Sequence, residues 1–84
     1  MQINWKKIFD WSICGIQRPY EVRTADKVVA YRVDVMYRHH GLDPVIFPVE
    51  RDRILVSGAE LALSRATAFF DRMYAKMQRD IKKR

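Results

Sequence analysis

Apolar and polar residues alternate most cleanly between positions 28 and 38. Val29, Tyr31, Val33, Val35 and Tyr37 interleave with Ala30, Arg32, Asp34, Met36 and Arg38. A period of two sends the two sets to opposite faces, which predicts a strand with one buried face and one at least partly wet. That asymmetry suits an antiparallel hairpin rather than a parallel sheet buried on both sides. Residues 20–24 are short and β-prone, and Ala25-Asp26-Lys27 reads as the tight turn that joins them to the long strand. Beyond residue 38, Gly41 and the Asp43-Pro44 step are strong breakers. A third strand is expected at 45–49, on an edge or at a bulge, because Pro48 cannot donate to a ladder.

The two ends of the chain follow a helical period instead. At about 100° per residue, Trp5, Ile8, Phe9, Ile13 and Ile16 fall within one arc of about 140°. This predicts a short helix over 3–14 that stops at Gly15, a residue suited to the left-handed position after a helix. Trp5 and Phe9 are then expected to pack over the sheet, while Trp11 lies off the arc and is left exposed. Residues 59–82 contain no Pro and no Gly, and good helix formers dominate. Ser57-Gly58-Ala59-Glu60 fits a capping box at their start. Leu63, Phe69, Phe70, Met73, Met77 and Ile81 share one apolar arc with several alanines, read as core rather than as a cofactor box.

The expected fold class is therefore α+β. One small domain spans 1–84, in the order α-β-β-β-α. A three-stranded antiparallel sheet carries a long C-terminal helix on one face, and a basic tail covers about 79–84. That order looks like the order in double-stranded-RNA-binding domains. In that family a Lys-rich cluster opens the last helix, whereas this chain reads Ser57-Gly58-Ala59-Glu60-Leu61 there. The likeness thus extends to topology alone.

Charge changes the picture for the last helix. The 84 residues hold sixteen Lys or Arg against ten Asp or Glu, a net +6 with a pI near 9.8. Positions 71–84 supply +4 of that excess, and the first seventy residues are nearly balanced. Arg65, Arg72, Lys76, Arg79 and Lys83 lie within about 60° of one another on one edge of the apolar arc. Such a row fits a phosphate backbone or an acidic protein surface. It also fits a solvated helix flank whose long stems cover the core edge. Arg32 and Arg38 are placed on the wet face of the long strand and could extend a binding surface, with Asp34 between them. Trp11, if exposed, would suit a protein interface.

The remaining chemistry is sparse. A lone Cys14 permits no internal disulfide and suits a cytoplasmic chain. Near the end of a predicted helix it reads as partly buried packing. His39 and His40 sit in a turn with no carboxylate spaced to orient either ring, and four metal ligands at motif spacing are absent. No catalytic residue, metal or cofactor is assigned, and no apolar run is long enough to span a bilayer. A cleavable signal peptide is not expected either. Two functional expectations follow. The first is a non-enzymatic nucleic-acid-binding protein acting through the last helix. The second is a regulator or inhibitor of the phage or mobile-element type, binding a host protein complex. A homodimer hiding the third strand's edge, Trp11 or the Ala68/Ala75 flank is compatible with either.

Overall fold

The computed structural model describes residues 3–82. Its elements are α1 (Trp5–Ile8), β1 (Ile13–Ile16), β2 (Tyr20–Arg23), β3 (Val28–Tyr37), β4 (Gly41–Pro48) and α2 (Gly58–Lys82). The fold is α+β, with an antiparallel sheet of four strands and a long C-terminal helix packed on one face.

β3 is the axis of the sheet. β4 pairs with it from Tyr37↔Gly41 to Ala30↔Pro48, along one edge. β1 and β2 lie end to end along the other, Ile13 opposite Tyr37 and Tyr20 opposite Arg32. The backbone of Gln17 bridges the gap by donating to Asp34 O at 3.0 Å. Four strands therefore make a sheet only three ribbons wide. The hairpin between β3 and β4 closes through residues 38–40 with Gly41 at φ 79°, a left-handed position that favours glycine.

The N-terminal half corrects the sequence expectation. The helix expected over 3–14 is a single turn, capped by Asn4 Oδ1 accepting from Lys7 N. Residues 13–16 are a strand instead, and Gly15 lies within it rather than ending a helix. Its missing side chain leaves Met36 Cβ 3.5 Å from where a Cβ would stand. Cys14 is the extra residue of a bulge, so it is exposed rather than packed, with its thiol 3.5 Å from Met36 O. Trp5 and Phe9 stack on each other at 6.1 Å in the open and do not cover the sheet. With a strand in place of the first helix, the likeness to double-stranded-RNA-binding domains ends.

The third strand also starts earlier than expected, at Gly41 rather than 45, and takes in Pro44. The amide of Val49 donates to Val29 O, so odd residues of this ribbon point their N–H toward β3. Pro44 and Pro48 thus place their missing donors on the outer side, where no ladder bond is lost.

Register decides which side chains meet α2. Val33 and Val35 of β3 and Ile13 of β1 close against Ala66 and Phe70 of the helix, and Tyr31, Tyr37, Phe47 and Met73 surround them. This is the face expected from the period-two pattern. α2 begins as its sequence predicts: Ser57 Oγ accepts from Glu60 N at 3.0 Å. Asp52 Oδ1 accepts from Gly58 N at 2.8 Å and satisfies another orphan donor of the first turn. Gly58 has to be glycine, because a Cβ there would stand 1.8 Å from Glu50 O. Among the large side chains of the described residues, Ile13, Val33 and Val35 alone are fully enclosed. The radius of gyration is 16.1 Å, against about 12 Å for a compact chain of this length.

Candidate functional site

The basic flank of α2 comes apart into residues that are used internally and residues that are not. Lys76 belongs to the first kind. Its Nζ donates to Trp11 O at 2.9 Å and to Asp80 Oδ2 at 2.8 Å. The same Asp80 oxygen accepts from Ile13 N at 3.1 Å. Together they clamp the start of β1 onto the helix, a role that spacing along one helix could not reveal. Arg65 stands 3.4 Å from Glu50, a loose and exposed pair. Arg72 lies over the Phe69 ring at 5.6 Å, and Phe69 in turn meets Phe47 at 5.5 Å. Arg79 is exposed. Lys83 lies outside the described residues. The flank therefore presents Arg65, Arg72 and Arg79 to solvent, with Lys76 recessed into the clamp.

Arg38 falls just past β3, in the turn, where its amide donates to Ser12 O at 2.9 Å. Trp11 is exposed as expected, but it is not alone. It stacks on His40 at 3.7 Å and meets Tyr37 edge-on at 5.3 Å. Beside it, His39 Nε2 is 3.2 Å from Asp10 Oδ2. Hydrogen bonds from the Ser12 hydroxyl and amide hold the Asp10 carboxyl below its ordinary value, with His39 and Arg38 adding to the effect. The two histidines thus fasten the N-terminal segment to the β3–β4 turn. The carboxylate beside His39 comes from Asp10, about thirty residues away in sequence, which is why local spacing gave no hint of it.

Arg32 lies on the sheet face that α2 leaves bare. Its Nε donates to Asp34 Oδ1 at 2.6 Å, and the guanidinium sits 5.7 Å from the Tyr20 ring. Tyr20 Oη donates to Asp34 Oδ2 at 3.0 Å. The bond from Arg32 is the main reason the Asp34 carboxyl is held below its ordinary value; partial burial opposes it and Tyr20 assists. Burial, with the hydrogen bond to Asp34, pushes the Tyr20 phenol up. Around this trio the face is apolar. Register places Leu42 beside Met36, Pro44 beside Asp34, Ile46 beside Arg32 and Pro48 beside Ala30. Tyr20, Met36, Leu42 and Ile46 are each between 39% and 51% exposed. Starting the last strand at 45 hid this, because Leu42 then belonged to a turn. Alternation traced back to Gly41 would have found it.

A second bare apolar feature is the loop before α2. Ile54 is 100% exposed and Leu55 92%. The loop is nonetheless tied down at its base, by Arg53 N donating to Val56 O at 2.8 Å and by the Asp52 bond to Gly58. Arg51 and Arg53 precede the tip.

Among the described residues, no group of three or more His, Cys, Asp and Glu is placed to hold a metal ion, and no helix is long and apolar enough to cross a membrane. Comparison of the chain with protein-family models, with curated proteins and with solved structures gives no match.

Proposed function

We propose that the chain is a small binding protein, acting without catalysis, that holds nucleic acid along the basic flank of α2. The observation that carries this reading is the solvent-facing row of Arg65, Arg72 and Arg79. From Arg65 to Arg79 it runs fourteen residue steps along one continuous helix, about 21 Å at 1.5 Å per residue. Arg65, Arg72, Lys76 and Arg79 outnumber the carboxylates bonded to this flank, which are Glu50 at Arg65 and Asp80 at Lys76. The field along the flank is therefore positive. Contacts of this kind go to phosphates and carry little sequence information. On this reading the chain acts in the cytoplasm, where the exposed Cys14 stays reduced.

The test is a binding titration with duplex and single-stranded oligonucleotides across a range of salt. Three phosphate contacts give a log–log salt slope near −2.7 on duplex, or about a 40-fold loss between 50 and 200 mM salt. Replacing Arg65, Arg72 and Arg79 together by Glu should abolish binding while leaving the far-UV spectrum unchanged. Unaltered affinity in that variant would sink the reading.

The Ile54–Leu55 tip favours a second reading, in which the chain is a regulator or inhibitor bound to a larger protein complex. Two bare aliphatics on a loop with a fixed base have the form of an anchor for a pocket on a partner. A partner retained after nuclease treatment and high salt, and released by Leu55→Asp, would favour it over nucleic-acid binding.

A further inference from the structure

The bare face of the sheet shows what kind of surface can cover it. Among the described residues its charged side chains are Arg32 and Asp34, bonded to each other at 2.6 Å, and the second Asp34 oxygen is taken by Tyr20. Covering this face would strand no unpaired charge, which is the usual penalty for burying one. Most of the net +6 lies at positions 71–84, so like charge opposes contact between copies chiefly along α2. Here cation and anion cancel, and Met36, Leu42 and Ile46 stand around them.

The edges of the sheet do not offer an alternative. Pro44 and Pro48 interrupt the outward N–H row of β4. The opposite edge is broken by the bulge at Cys14 and by Pro19 between β1 and β2. Both are ways in which edge-to-edge pairing is prevented. The face is also of adequate size. Ten residues of β3 at about 3.3 Å each, three ribbons about 4.8 Å apart, give roughly 450 Å² in plan and about 1,000 Å² buried between two copies, near the lower bound of a specific interface. A groove of about 490 Å³ opens where Gly15 lacks a side chain, between Gln17, Met36 and Leu42, with room for aliphatic groups from an opposing face.

We propose that two copies of this chain pack their bare sheet faces together, forming an isologous dimer of four layers, α/β/β/α. A second copy is the occupant that the face's cancelled charge and its plan area fit. It also adds to a small core, since among the described residues only three large side chains are fully enclosed on the helix side. Two sheets about 10 Å apart would turn Met36, Leu42 and Ile46 into a second core. The α2 helices would remain on the outside, so this proposal stands apart from the reading of their basic flank.

The experiment is sedimentation of nuclease-treated full-length chain in 0.5 M salt, which removes nucleic acid as a bridge. A dimer at tens of micromolar is expected. Ile46→Lys and Leu42→Lys each bring two added cations together across the two-fold axis and should weaken it at least tenfold. The Arg65/Arg72/Arg79→Glu variant should remain dimeric, so loss of nucleic-acid binding and loss of dimer are read separately. Oxidative footprinting of the unaltered chain needs no variant: Met36 should become more reactive on dilution, whereas Met73 and Met77 should not. A monomer at all concentrations overturns the proposal. So does a dimer indifferent to both lysine substitutions, or a dimer in which Met36 reactivity does not change on dilution.

Discussion

Alternate residues of the same strands build the two faces of the sheet, and the faces treat polar groups in opposite ways. Toward α2, β3 presents Tyr31, Val33, Val35 and Tyr37, and the polar bonds there sit at the rim, where Lys76 and Asp80 hold the start of β1. Away from α2 the polar groups sit in the middle. Arg32, Asp34 and Tyr20 form a closed set, with aliphatic side chains around them. The first arrangement is that of a core, with polar groups kept to its border. The second is that of a surface whose charges are neutralised in advance and whose apolar area remains in water. The difference teaches that exposure alone does not identify a solvated face. What distinguishes this one is that its ions are bonded to each other rather than directed outward.

The largest effect that could break this comparison is expected at Phe70, which is buried against Val33, Val35 and Ala66. Phe70→Ala should cost about 3–5 kcal/mol in urea unfolding. Its counterpart on the bare face, Ile46→Ala, should cost less than about 1 kcal/mol at protein concentrations low enough to keep the chain monomeric. Raising the concentration should increase the cost of Ile46→Ala and leave that of Phe70→Ala unchanged. Equal costs in dilute solution would show that the two faces are already equally buried in one copy.

A middle-sized effect is expected where the covered face is fastened at its rim. Asp80 accepts both from Ile13 N and from Lys76, and its side chain is largely covered. Asp80→Asn removes the charge that strengthens both bonds and should cost about 1–3 kcal/mol. The loss should be local. Amide hydrogen exchange should accelerate at Ile13 and its β1 neighbours, while β2, which is held by β3 alone, keeps its protection. Uniform acceleration across β1 and β2 would mean that the clamp is not specific to the rim.

These particulars show how far the sequence was legible. The long strand and the last helix each keep one period without interruption, so β3 and α2 appear close to where the pattern puts them. β1 does not, for a physical reason. Its bulge at Cys14 inserts an odd residue, which destroys the period-two signal across a strand of only four. Ile8, Phe9, Ile13 and Ile16 then fit a helical arc by default. β4 was half hidden because Pro44 reads as a breaker, although on the outer side of an edge strand a proline loses no ladder bond. The basic flank was legible as a row. Its division into clamp and solvent-facing cations depends on Trp11 and Ile13, more than sixty residues away from Lys76 and Asp80 in sequence, and no periodicity along α2 carries that.

The smallest effect concerns the ion pair at the centre of the bare face, and it is a matter of pH. Arg32 donates to Asp34, and the Asp34 carboxyl titrates lower in the folded chain than in the unfolded one. On acidification the unfolded carboxylate takes up its proton first. The pair therefore contributes stability that is fully present above the ordinary carboxylate value and disappears as pH falls through the lower, folded one. Asp34→Asn cannot titrate. It should be less stable than the parent chain at neutral pH, and the gap should close steadily below pH about 4. Asp10 is also held below its ordinary value, by its bonds from Ser12, but it is present in both proteins and cancels in the difference. Unfolding both chains in urea at intervals from pH 6 to pH 2 measures the gap. A gap that stays constant over that range would mean that Asp34 is not held as a carboxylate by Arg32. The bare face would then present an uncancelled charge, and the contrast with the covered face would fail at the feature that defines it.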